Sequence, residues 1–190
     1  MEALDHHEVA FEKLIQPGGT FTGRTFEQCA FTRCDLSGCD FAKSKFIECT
    51  FTGCDLSMIK LRGVSLQQAT FIECKLMGVD LSVCSEMLFS VRFERCVLDH
   101  SVLVKRNMAK TSFVKCSMKG VDLSEAELSR TILENCDLQD AVFERTDLRN
   151  ADLTTAFNFR IDPRNNDLRG ARFSAQGAME LLTCFGVVVE

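Results

Sequence analysis

Large apolar residues recur at every fifth position along most of this chain. In steps of five, only Gln16 is polar within 11–81, and only Asn158 and Pro163 depart from the pattern within 88–173. A helix turns about 100° per residue and would scatter this period around its axis, whereas a strand would send successive members to opposite faces. The pattern therefore predicts a chain that turns a corner once per repeat and keeps every large residue inside.

The cysteines reveal a longer period of 20 residues. Two series keep this spacing: Cys34, Cys54 and Cys74, and then Cys96, Cys116 and Cys136. The gap of 22 residues between the two series indicates a two-residue insertion within one coil. Four five-residue segments per coil predict a four-sided solenoid, in which each coil buries its interior only by stacking on its neighbours.

The segments CDLSG, CDFAK, VDLSE, CDLQD, TDLRN and ADLTT resemble the A(D/N)LXX motif of the pentapeptide-repeat family. The resemblance implies an all-β fold, a right-handed quadrilateral β-helix filled by the central Leu or Phe and by the small residue two positions before it. On this basis we expect three parts. They are an N-terminal cap at 1–18, the repeat solenoid at 19–173 with a two-residue irregularity at 82–90, and a C-terminal helix and strand at 174–190.

Nine of the eleven cysteines occupy the small inward position, which Ser101 and Ala126 occupy elsewhere. A free cysteine behaves there as a small apolar residue. No CxxC pair occurs, and side chains stacked one coil apart cannot surround one ion tetrahedrally, so no metal site is predicted. Since no nucleophile–base spacing or glycine-rich phosphate loop is found either, we expect no catalytic residues, no cofactor and no enzyme activity.

Negative charge concentrates in the segment 121–157, which carries nine acids and three arginines. The acids are Asp122, Glu125, Glu127, Glu134, Asp137, Asp140, Glu144, Asp147 and Asp152. Along the rod this is roughly one net charge per 1.5 Å, close to the value of about 1.7 Å for duplex DNA. The alternative is an ordinary solvated surface, because five of the nine acids occupy the position before the central Leu where the repeat motif itself has an acid.

The C-terminal tail predicts a short helix with Ser174 as its N-cap and Gly186 as its stop. Its apolar residues are Ala178, Leu181, Leu182 and Phe185, followed by a short strand of Val187, Val188 and Val189. Such a helix either caps the last coil or joins two rods. The tail, FNFRIDPRNNDLRGARFSAQGAMELLTCFG, resembles that of the gyrase-protecting pentapeptide-repeat group, which includes the Qnr and MfpA quinolone-resistance proteins and the microcin B17 immunity protein.

Members of that group dimerise through their tails, resemble duplex DNA and bind DNA gyrase or topoisomerase IV. The resemblance implies a DNA-mimicking homodimer that binds either enzyme, without binding nucleic acid or membrane, and modulates it or protects it from a quinolone or toxin. The alternative is an adaptor for an unrelated protein. The N-terminus lacks a signal peptide pattern and no apolar run of 18 residues occurs, so a cytoplasmic location is expected. Unlike many Qnr proteins, this chain has no long insertion between coils.

Arg106 and Glu86 occupy two stacked small inward positions beside the insertion. Burying an isolated charge costs several kcal/mol. We therefore expect Glu86 and the insertion to bulge outward, opening a gap through which Arg106 reaches either Glu86 or solvent. The alternative is that both residues are simply exposed.

Overall fold

The computed structural model describes residues 5–187, which wind into a parallel β-solenoid of about eight turns with one short C-terminal helix. The strands are β1 (Asp5–His7), β2 (Ala10–Glu12), β3 (Thr25–Glu27), β4 (Ala30–Thr32), β5 (Lys45–Ile47), β6 (Thr50–Thr52), β7 (Ser65–Gln67), β8 (Ala69–Ile72), β9 (Val91–Glu94), β10 (Ser112–Val114), β11 (Ile132–Glu134), β12 (Asp152–Leu153) and β13 (Arg172–Phe173). Helix α1 (Ala175–Leu182) and a 3-10 turn (Thr183–Phe185) follow.

The solenoid has four faces, numbered here in chain order. Face 1 is the parallel sheet β1-β3-β5-β7, continued beyond it by bridges such as Asn107 to Glu127, and face 2 is the parallel sheet of nine strands from β2 to β13. Faces 3 and 4 are joined by isolated parallel bridges, for example Asp35 to Asp55 on face 3. The all-β class implied by the family resemblance and the four-sided solenoid predicted from the spacing are both confirmed.

Aromatic rings fill much of the interior behind face 2. Six phenylalanines stack there with centroids 4.6–5.3 Å apart: Phe11, Phe31, Phe51, Phe71, Phe93 and Phe113. Leu133 and Leu153 continue the same column. Because residues in parallel register lie directly above one another, identical rings meet face to face from coil to coil.

The small inward residues connect successive coils through their side chains. The Cys54 thiol lies 3.4 Å from the Phe31 carbonyl oxygen of the preceding coil, and the Ser101 hydroxyl donates to the Leu76 carbonyl at 2.7 Å. The nine cysteines assigned to the small inward position are all buried, which confirms their predicted core role. Cys84 is buried as well, and Cys184 is partly exposed. Burial raises the pKa of the Cys49 thiol to about 11, so this side chain stays protonated.

The structure corrects the expected start of the repeat region. Strands β1 and β2 already pair with β3 and β4, so the solenoid begins by Asp5 and residues 5–18 belong to its first coil. The expected cap at 1–18 is therefore wrong for these residues. Near the other end, Asn158 is exposed and Pro163 is half-buried, and Phe159 and Ile161 fill the interior in their place.

The two extra residues lie in the segment Glu86–Ser90, where the chain leaves face 1. Residue Ser85 still bonds to Val64 one coil earlier, and pairing resumes on face 2 between Ala69 and Val91. The outward bulge is confirmed, since Glu86 is exposed. Leu88, assigned by its spacing to the interior, is 69% exposed.

The sequence predicts that Arg106 reaches either Glu86 or solvent. Instead its side chain is buried, with 3% exposure, and does not contact Glu86. Its Nε donates to the Leu81 carbonyl at 2.8 Å, taking the place of the thiol or hydroxyl of a regular coil. Its terminal nitrogen donates to the carbonyls of Cys84 and Ser85, and its guanidinium lies 4.5 Å from the centroid of the Phe89 ring. The predicted pairing with Glu86 and the alternative of simple exposure are both wrong, because backbone carbonyls satisfy the charge.

Candidate interaction surface

The nine acids of the segment 121–157 lie around the whole rod. Their positions relative to the central Leu and Phe residues place them on all four faces and at two corners: Glu127 and Asp147 on face 1, Glu134 and Asp152 on face 2, Asp137 on face 3, Asp122 and Glu144 on face 4, and Glu125 and Asp140 at corners. They form a collar one to two coils deep. We call these nine residues the acidic collar.

Five of the nine acids form ion pairs. They are Glu125, Asp137, Glu144, Asp147 and Asp152. The Glu125 carboxylate forms ion pairs with the Arg145 guanidinium, at 3.0 Å, and with the Lys105 ammonium group, at 3.6 Å. The hydrogen bond from Arg145 is the main reason that the pKa of Glu125 is lowered. This acid is therefore ionised at neutral pH but already neutralised by its neighbours.

Asp137 is the most enclosed of the paired acids, with 17% of its side chain exposed. Lys119 lies 3.2 Å away, and the Asn158 amide donates to the carboxylate at 2.8 Å. Partial burial acts to raise its pKa, but the hydrogen bonds from Asn158 and Lys119 outweigh it and the pKa is lowered. Asp137 therefore links side chains of the two neighbouring coils, and its charge is partly neutralised by Lys119.

Four acids of the collar form no ion pair within residues 5–187: Asp122, Glu127, Glu134 and Asp140. Glu134 and Asp140 are also exposed. These two are the collar members most accessible to a partner. Fewer acids of the segment are therefore free to bind a partner than the sequence suggests, because Lys105, Lys119 and Arg172, which lie outside the segment, form ion pairs with three of them.

The acidic collar borders a basic region at residues 91–120. A charge count over the whole of 1–120 does not detect this region, because the acids of the earlier coils offset its basic residues. Residues 91–120 carry seven basic and two acidic side chains. The basic members are Arg92, Arg95, Lys105, Arg106, Lys110, Lys115 and Lys119. A window of about one coil and a half would have found this reversal in the sequence, since the charge changes sign near residue 120.

The C-terminal helix is capped as predicted, with the Ser174 hydroxyl accepting from the Gly177 amide at 3.0 Å. It packs closely on the last coil: a Cβ at Gly177 would lie 2.8 Å from the Phe159 ring. Gly186 ends the 3-10 turn with a φ of 70°, which glycine adopts without strain. The helix thus closes the end of the solenoid.

The predicted dimerisation residues divide into two groups. Leu181 is partly buried against the core, so it belongs to the cap. Four others are exposed: Ala178, Leu182, Phe185 and Val187. Val187 has no regular structure, contrary to the expected strand, and Val188 and Val189 lie outside the described residues.

Arg164 connects the last loop of the solenoid to the tail. It donates to Asp162 through two nitrogens, at 3.0 and 2.7 Å, and its guanidinium lies 5.3 Å from the centroid of the Phe185 ring. The hydrogen bonds from Arg164 lower the pKa of Asp162 to about 2. The exposed Phe185 is therefore held in place against the rod.

The described residues contain no group of three or more His, Cys, Asp or Glu side chains that could hold a metal ion. Within the same range, no helix is long and apolar enough to cross a bilayer.

The pentapeptide repeat region family matches residues 24–85 and 86–173, most of the solenoid. The chain belongs to the pentapeptide-repeat family. The boundary between the two matches falls at the insertion. No curated protein sequence matches the chain significantly.

Among solved structures, the fold of this pentapeptide-repeat protein is similar to that of QnrB1, a plasmid-mediated fluoroquinolone resistance protein. One trypsin-treated form aligns with a TM-score of 0.65 and 24% identity over 98% of this chain and 100% of that chain. A second trypsin-treated form aligns with a TM-score of 0.55 and 21% identity over 96% and 99% of the two chains. The similarity to these forms is one of fold.

Proposed function

We propose that this protein binds a type II topoisomerase, DNA gyrase or topoisomerase IV, through its acidic collar, and so modulates the enzyme or protects it from a quinolone or toxin. The observation that supports the proposal is the combination of a QnrB1-like fold with a collar of net negative charge around a rod. A protein surface that binds DNA is basic, so a rod with regularly spaced carboxylates offers it a charge pattern similar to that of the phosphates. The cytoplasm is then the expected location.

The role proposed here is binding rather than catalysis, and it needs no cofactor. A second candidate is an adaptor that binds an unrelated protein. The ion pairing of five collar acids favours this candidate, because a paired carboxylate gives a basic partner less free charge. The two functions differ in what the purified chain does to a topoisomerase.

The purified chain should inhibit gyrase supercoiling, or restore it in the presence of a fluoroquinolone. Changing Glu134 and Asp140 together to lysine should weaken binding to gyrase by about tenfold at low salt, and less as salt rises. Both residues are exposed, and within the described part of the chain neither forms an ion pair that the change would break. Gel assays of supercoiling and titration of each gyrase subunit measure the two effects.

Glu27 and Glu48 provide the control, because each pair combines one exposed strand residue with one exposed corner residue. The neighbours of the control acids, His7 and Gln28, are themselves exposed. Glu134 and Glu27 lie in β11 and β3, while Asp140 and Glu48 are corner residues with φ of 57° and 54°. Changing Glu27 and Glu48 to lysine should leave gyrase binding within about twofold of the unmodified chain. If the intact chain neither binds gyrase or topoisomerase IV nor affects them, the adaptor function replaces the proposed one.

We further propose that two chains associate through the C-terminal helix. Leu182 is 41% exposed, so a glutamate there should leave the fold intact but convert a dimer to a monomer in sedimentation experiments. Ala175→Glu, an equal charge change at the exposed start of the same helix, should remain dimeric. An intact chain that sediments as a monomer at micromolar concentration would assign the helix to capping alone.

A further inference from the structure

A groove of about 780 Å³ interrupts face 1 beside the insertion. In a regular coil, the amide of the residue after the small inward position bonds to the carbonyl one coil earlier, as Ser65 does to Ser44. The equivalent acceptor for Asn107 is the Cys84 carbonyl, but the Arg106 side chain occupies it. Among residues 5–187, no backbone acceptor is found for the Asn107 amide, and Asn107 is exposed. The groove therefore offers a free backbone donor where a strand would continue the sheet.

The groove is strongly basic. Arg92, Lys105 and Lys110 line it, Arg106 lies at its buried side, and Glu86 is its single acidic residue. Arg92 and Lys110 are exposed and form no ion pair within the described part of the chain, whereas Lys105 shares Glu125 at 3.6 Å. These side chains belong to the basic region 91–120, so the surrounding field has the same sign.

The rim of the groove is apolar. Leu88 is 69% exposed, and Phe89 is only partly buried against the Arg106 guanidinium. The insertion thus exposes apolar surface next to unpaired cations and a free amide. A polyanion such as nucleic acid would use the cations alone, whereas a peptide with alternating acidic and apolar side chains would use all three features.

We propose that this groove is a docking site for a short extended segment of another protein, rich in Asp or Glu and alternating with apolar residues. A backbone carbonyl of the segment would accept a hydrogen bond from the Asn107 amide. The carboxylates of the segment would lie near Arg92 and Lys110, and its apolar side chains would pack against Leu88 and Phe89. This site is distinct from the acidic collar, and its occupant has the opposite charge from the partner proposed for that collar. It requires no topoisomerase.

A short fluorescein-labelled peptide of alternating glutamate and leucine tests the proposal by anisotropy titration at low salt. Lys110→Glu should weaken binding about fivefold, and the double variant with Arg92→Glu more than tenfold, with both effects shrinking as salt rises. The fold accepts glutamate at this corner between faces 1 and 2: Lys110 has a φ of 64°, and Glu48 occupies the equivalent corner with a φ of 54°. Glu73, with a φ of 55°, occupies the corner equivalent to that of Lys115.

Lys115→Glu is the matched control. Lys115 is an exposed lysine of the same coil that forms no ion pair among residues 5–187, and it lies at the corner with a φ of 53° on the other side of face 2. It does not line the groove. This variant has the same net charge as Lys110→Glu and should bind the peptide within about twofold of the unmodified chain.

Two changes to the probe separate the contributions of charge and apolar contact. Replacing leucine by serine in the peptide should weaken binding, and a peptide of alternating lysine and leucine should not bind. The proposal is overturned if Lys115→Glu and Lys110→Glu have equal effects, if an oligonucleotide of equal charge binds more tightly than the peptide, or if no binding occurs up to about 1 mM peptide.

Discussion

Replacing Arg106 with alanine should lower the free energy of unfolding by about 2–4 kcal/mol, because three backbone carbonyls lose their donor. The shortened side chain matches the repeat motif better, so the motif alone predicts no loss. The structure predicts a large one, since the carbonyls of Leu81, Cys84 and Ser85 all accept from this guanidinium. Urea unfolding followed by far-UV circular dichroism measures the difference.

Arg106→Ser separates the three bonds. A serine at this position can still donate to the Leu81 carbonyl, as Ser101 does to Leu76, but it cannot reach Cys84 or Ser85. We therefore expect a loss nearly as large as that of the alanine variant. Glu86→Ala should change stability by less than about 0.5 kcal/mol and add to Arg106→Ala without coupling, because Glu86 is exposed. Strong coupling between the two changes would contradict the assignment of the three backbone carbonyls as the partners of Arg106.

Replacing Phe93 with alanine should cost about 3–5 kcal/mol, since it removes a ring from the middle of the stacked column. Phe93 is fully buried, and its centroid lies 5.2 Å from that of Phe71 and 5.3 Å from that of Phe113. The neighbouring coils are held by their own hydrogen bonds and cannot close the cavity. The same unfolding experiment measures the loss.

Phe93→Leu and Phe157→Ala are the controls for the aromatic column. Leucine at position 93 should cost only about 1 kcal/mol, because Leu133 and Leu153 occupy the same column further along the rod. Phe157 is 46% exposed on face 3, so its removal should cost less than about 1 kcal/mol. A Phe93→Ala variant as stable as the Phe157→Ala variant would show that the column contributes little.

The interior of this protein could be predicted from its sequence almost residue by residue. Every regular coil repeats the same short contacts, so a local period of five residues specifies both the corner and the inward side chain, as at Phe31 and Phe51. For the same reason the cysteines could be assigned to the core, and Ser174 and Gly186 to the ends of the tail helix, without tertiary information.

The surface and the irregular coil were decided by contacts between residues about 20 apart, which a local pattern does not specify. The acids of the segment 121–157 lie close together in sequence, but their availability depends on cations one coil away, such as Lys119 for Asp137 and Arg172 for Asp152. Likewise, the spacing assigned Leu88 to the interior, whereas the bulge exposes it.

Arg106 shows why the tertiary structure was needed at the insertion. In the sequence it is a charged residue at a position that is otherwise small and inward-facing, and the acid in the stacked position, Glu86, is the partner that the pattern suggests. In the folded chain the Arg106 guanidinium donates to the Cys84 carbonyl, which in a regular coil would accept from the backbone amide of the next coil. The sequence determined the repeat and its period. Which backbone groups lack a partner where the repeat is interrupted depends on how adjacent coils stack, and only the tertiary structure decided this.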